Sequence, residues 1–160
     1  MDSMNTENDP TAGPEASTSP VEAPVRFDTK LAVVLRGDLE VWQRLNVTAF
    51  LVSGISQRVP EVIGEPYADA DGTQYLPMFR QPVLVFEAGK ETLTAAAGRA
   101  VRRELVLSVF TADLFSTGND RDNRAAVRAV PRASLDLAGI AVYGPRNAVD
   151  RVVKGARMHP

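Results

Sequence analysis

With one histidine and no cysteine, the chain has few routes to chemistry. The missing thiol excludes cysteine catalysis, disulfide stapling, zinc ribbons and iron–sulfur clusters. His159 is the penultimate residue, where chain ends fray, so it makes a poor base for a serine-type triad. What remains are carboxylates, amides and hydroxyls near the ends of apolar runs. Asp38 follows the run Lys30–Arg36 across Gly37, and Asp113, Ser116, Thr117, Gly118 and Asn119 follow the run Leu105–Phe110. Asn46 and Thr48 lie on the segment after Asp38. No glycine-rich phosphate-loop or dinucleotide spacing occurs. Asp69-Ala70-Asp71-Gly72 places its glycine too early for a calcium loop and lacks the later ligands, so it reads as a turn. Neither a metal nor a cofactor is expected.

The elements that must position these groups alternate between strand and helix. Lys30–Arg36 has the continuous apolar character of a strand buried on both faces. From Leu39 to Ser56, Val41, Trp42, Leu45, Val52 and Ile55 recur at helical spacing, with Asp38 as the expected N-cap and Trp42 expected in the core. Glu61–Tyr67 and Thr73–Leu76 flank the Asp69–Gly72 turn as a small hairpin. Pro82–Phe86 is a second strand, its proline tolerated at the first position. A helix over Lys90–Glu104 follows, with Arg99, Arg102 and Arg103 facing water. Leu105–Phe110 is the third strand, and a helix over Asp120–Val130 is capped by Asn119 or Asp120. Leu137–Tyr143 is the fourth strand, and Gly144-Pro145 opens a last helix packing through Val149, Val152 and Val153. This order predicts an α/β protein with a mostly parallel or mixed sheet covered on both faces.

In open α/β sheets, ligands bind beyond the carboxyl ends of the strands. That rule selects Gly37 and Asp38 after the first strand and the 113–119 loop after the third. Asn46 and Thr48 are expected to line the crevice between them, with the Asn46 amide facing it. Ser116, Thr117 and Asn119 run into a helix N-terminus, where free N–H groups suit a phosphate or carboxylate. Each reading has a plainer competitor: an Asn46 amide bonded to backbone, a capped loop at 116–119, and helix capping by Asp38. Capping is preferred for Asp38 and for the loop.

Composition bounds the rest. The chain has 160 residues, 44% of them hydrophobic, which fits one domain of ordinary size. Residues 1–24 carry five acids, no Lys or Arg, and four prolines among small polar residues, so they are expected to form a disordered acidic tail before a single domain over 25–160. Beyond Pro24 there are 18 basic and 15 acidic residues, an excess of three that is too weak to argue for nucleic acid. The longest apolar run, Val47–Ile55, is far short of the roughly 20 residues that span a membrane. A start lacking both a basic and an apolar stretch is no signal peptide. A cytoplasmic location fits these features and the absence of cysteine.

Several blocks carry a family resemblance. They are Leu35-Arg36-Gly37-Asp38-Leu39 followed by Trp42–Phe50, Gly64-Glu65-Pro66-Tyr67 through Gln81-Pro82-Val83, Phe115-Ser116-Thr117, and Val149–Gly155 with the ending His159-Pro160. Together they resemble domain-of-unknown-function family number two thousand over essentially all of the chain after Phe27. That family is similar in fold to peptidyl-tRNA hydrolase II, which implies a three-layer α/β protein on a mixed sheet of four main strands, with the hairpin as an addition. The hydrolase pattern Arg-x-Asp-Leu matches Arg36-Gly37-Asp38-Leu39. Its later lysine and glutamine do not match, since Trp42, Gln43, Arg44, Leu45 and Ala49 stand there.

The expected function is therefore a non-hydrolytic binding or regulatory module for a polar or anionic small molecule, through Asn46, Thr48, Ser116, Thr117 and Asn119. The alternative is a hydrolase or transferase with a substituted set such as Asp38, Asp113 and Thr117. A homodimer through the 61–76 hairpin is a further reading, because a lone hairpin is marginal without a packing surface, beside the preferred one that the hairpin's side chains fold back onto the domain.

Overall fold

A computed structural model describes residues 20–160. Most of the expected tail lies outside the described residues, and 20–27 have no regular secondary structure. The chain then runs β1 (Thr29–Arg36), α1 (Val41–Arg58), β2 (Tyr67–Ala68), β3 (Gln74–Tyr75), β4 (Val83–Ala88), α2 (Lys90–Arg102), β5 (Val106–Thr111), α3 (Asp120–Arg128), β6 (Leu137–Pro145), α4 (Arg146–Val152) and β7 (Arg157–Met158). The main sheet has the order β5-β6-β1-β4-β7. Only β1 and β4 pair in parallel, joined through α1, whereas β6 runs antiparallel to both β1 and β5. The result is a three-layer α/β arrangement on a mixed sheet, with the small antiparallel β2–β3 hairpin beside it.

The alternation of β1 explains the layers. Leu31, Val33 and Leu35 point to the face covered by α1, and Ala32 and Val34 point to the face covered by α2 and α4. On α1 the buried residues are Val47, Leu51 and Ile55, four apart, which places one narrow stripe on the sheet. Burying each such side chain fully contributes about 1.5–3 kcal/mol. Gly139 on β6 permits the close approach, because a Cβ there would lie 2.9 Å from Cγ1 of Val47. On the other face, Arg99 of α2 donates to the carbonyls of Val152 and Lys154 at 2.7 and 2.9 Å, so this arginine caps the end of α4 as well as facing water.

Four details differ from the sequence expectations. The sheet gains a fifth strand, β7, whose two residues are too short to carry a periodicity. The N-cap of α1 is Glu40, in a capping box in which Glu40 N–H donates to the Gln43 side chain at 2.9 Å. Asp38 instead lies in the preceding turn. Trp42 is exposed, because the buried stripe begins one turn later at Val47. The hairpin is also shorter than expected, since Pro60–Val62 forms a 3₁₀ turn. Its Asp69–Gly72 turn stands as read, with the Asp69 carboxylate accepting from the N–H groups of Asp71 and Thr73 and from Tyr75 Oη, and Gly72 at φ +84°.

Candidate functional site

Because β1 and β4 are parallel neighbours, their carboxyl ends open side by side, and the cleft lies there. Gly37 N–H donates to Ala88 O at 3.1 Å, which carries the pairing to the lip of the cleft before the two chains diverge. The space is about 590 Å³ and is lined by Arg36, Asp38, Glu87, Lys90, Asp136 and Arg157 among others. Three cations therefore face three anions. The Arg36 guanidinium spans the lip, donating to Asp38 at 2.7 Å, Asp136 at 2.8 Å and Leu137 O at 3.1 Å. Lys90 reaches Asp136 at 3.0 Å from the first turn of α2, whose N-cap, Gly89, supplies no side-chain acceptor to its leading N–H groups.

Glu87 is a buried carboxylate inside the apolar strand β4. Arg44 of α1 donates to Oε2 at 2.9 Å, and Arg157 of β7, its register partner, donates to Oε1 at 2.6 Å. Arg44 Nη1 also lies 2.8 Å from Nε2 of His159, and His159 N–H donates to Val85 O at 2.9 Å. One charge thus ties the first helix, the fourth strand and the chain end together. The Arg44 bond first, then the Arg157 bond, holds the Glu87 carboxyl below its ordinary value of 4.5. The bond from Arg36 likewise lowers Asp38.

A carboxyl depressed in the folded state adds stability that is fully present above the unfolded value and is lost as pH falls through the lower folded one. The midpoint of urea unfolding should therefore hold steady down to about pH 4.5 and decline below it. Glu87→Gln should give a less stable protein with a shallower acid decline. An unchanged slope would show that other carboxyls carry the effect.

Of the candidate residues, Gly37 and Asp38 line this cleft and the others do not. The crevice expected between β1 and β5 is occupied, because β6 runs between them and brings Asp136 and Leu137 to that edge. Asn46 is exposed on the outer face of α1. Thr48 Oγ1 donates to Arg44 O at 2.8 Å along the helix. Thr117 Oγ1 donates to Leu114 O at 2.9 Å and also contacts Asn123, Ser116 and Asp113 are exposed, and the Asn119 side chain accepts from Asp122 N–H at 3.0 Å as the cap of α3. Arg36, Arg44, Glu87, Lys90, Asp136 and Arg157 are the site groups that the sequence reading leaves out. The signal available for Glu87 was a single acid in an otherwise apolar strand.

Among the described residues, no helix is long and apolar enough to cross a membrane, and no group of three or more acids and histidines gathers to hold a metal. A search of the curated proteins gives no match. A solved structure of a protein of unknown function, Atu0240 from Agrobacterium tumefaciens strain C58, is 41% identical over 84% of this chain and all of that one, with a TM-score of 0.83. The family model for proteins of unknown function DUF2000 matches residues 29–160, from the first residue of β1 to the last residue of the chain, and the chain belongs to that family.

Proposed function

We propose that this domain is a non-hydrolytic binding or regulatory module that takes a small polar molecule with a carboxylate or phosphate group in the cleft over β1 and β4. The observation that carries this reading is the lining itself. Arg36, Lys90 and Arg157 stand at the rim with acids between them, while the chain has no thiol and, among the described residues, no gathered metal ligands. The anionic end of the ligand belongs near Lys90 and the leading N–H groups of α2, and its donors belong near Asp38 and Asp136. Likeness to the peptidyl-tRNA hydrolase II fold is part of the proposal. It is supported by Arg36-Gly37-Asp38-Leu39 at the end of β1 and by a parallel β1–β4 pair bridged by α1. The hydrolase lysine and glutamine have no counterparts, which favours binding over turnover.

The test is thermal unfolding of the chain against a panel of small carboxylates and phosphates. A ligand present at about 100 times its dissociation constant should add about 2.7 kcal/mol of stability. Lys90→Ala and Asp38→Asn are each expected to weaken that stabilisation, since both side chains are exposed at the rim and can be lost without disturbing the core. If it persists undiminished in both variants, the cleft is misassigned. Turnover of peptidyl-tRNA or simple esters that disappears in Asp113→Ala would replace the binding reading with the hydrolase one.

A further inference from the structure

We propose that two copies of this chain associate about a two-fold axis through the outward face of α1. Val41, Trp42, Leu45 and Phe50 are 73, 60, 69 and 52% exposed, an unusual density of large apolar side chains for a helix facing water. From Val41 to Gln57 the only charged residue is Arg44, and it turns inward to Glu87. A second copy therefore meets this face without like-charge repulsion. Two hydroxyls of the strip are satisfied within it, since Ser53 Oγ donates to Phe50 O at 2.6 Å and Ser56 Oγ to Ser53 O at 2.9 Å, and covering them costs little hydration. The exposed Asn46 amide on the same face needs a hydrogen-bond partner in the second copy.

The order of side-chain sizes selects this occupant. The first half of the strip is bulky, with Val41, Trp42 and Leu45, and beyond it the outermost positions are the small Ala49 and Ser53, with Phe50 at the edge of the strip. An antiparallel pairing centred near Ala49 sets Leu45 of one copy opposite Ser53 of the other, and Trp42 opposite Ser56, so large meets small twice by symmetry. Trp42 is already braced edge-on by Phe115, with ring centroids 5.8 Å apart, and Phe50 by Phe110 at the same separation. Such anchors lose little further freedom on binding. The four large side chains offer roughly 400–500 Å² per copy, and Ala49 and Phe115 extend the patch toward the ~800 Å² per partner of a standard interface.

The test is the mass of the full chain by sedimentation across a wide concentration range. A dimer is expected at the upper end, with the Trp42 emission shifting to the red on dilution. Leu45→Glu and Ala49→Trp each alter an exposed residue and should leave the monomer folded. Each should weaken association by more than about tenfold. Leu76→Asp, on the exposed chain beyond β3, should leave the dimer intact. A monomer at every concentration overturns the proposal, as does a dimer that survives both α1 changes or yields only to Leu76→Asp.

Discussion

A Gly139→Ala chain should unfold about 1–3 kcal/mol more readily than the natural one, read from its denaturant midpoint. The added methyl would stand 2.9 Å from Val47 Cγ1, 3.1 Å from Leu51 Cδ1 and 3.2 Å from Leu35 Cδ2. All three neighbours are buried, and Val47 is β-branched on a helix, where one rotamer dominates and the methyl cannot swing aside. The strain must therefore lift α1 from the sheet. Val47→Ala removes the nearest obstacle, so the double variant should lose less than the sum of the two single losses, by about 0.5–3 kcal/mol. Additive losses would mean that the strain is relieved elsewhere than at the α1 contact. The consequence reaches the site, because Arg44 lies three residues before Val47 and a displaced helix draws it away from Glu87.

How far such an arrangement can be read from sequence depends on whether an element announces itself locally. The four longer strands and all four helices did, because runs such as Leu31–Leu35 and the helical recurrence of Val41, Leu45, Val52 and Ile55 are properties of neighbouring residues. The strand order did not. Placing β6 between β1 and β5 is a long-range outcome, and it moved the cleft to the β1–β4 side, away from the loop at 113–119. The phase of α1 was lost for a related reason. Its strip is apolar on both sides, so hydrophobicity alone does not tell which side meets the sheet, and Trp42 was assigned inward although Val47 marks the true stripe. Arg44 and Glu87 lie 43 residues apart, and nothing local to either points to the other. Only the turn residues gave tertiary detail directly, as at Asp69 and Gly72, where the chemistry is complete within five positions.

That Arg44–Glu87 pair supports the second large effect. Arg44→Met should lower the urea midpoint sharply, loosening the chain end along with it. The reason is the asymmetry of the cluster: the Glu87 side chain is 7% exposed, whereas that of Arg157 is 82% exposed. Removing Arg44 leaves a buried carboxylate with one solvent-facing partner, and an uncompensated buried charge is far more damaging than the absence of the whole pair. It also frees His159 from its contact with Arg44, so the β7 amides should exchange faster with solvent. Adding Glu87→Met to Arg44→Met removes the stranded charge and leaves only Arg157, which water already solvates. The double variant should therefore regain much of the lost stability while β7 stays loose, because its cross-strand acceptor is gone. If the double variant is no more stable than Arg44→Met alone, packing by the arginine stem holds α1 in place and the charge on Glu87 is secondary.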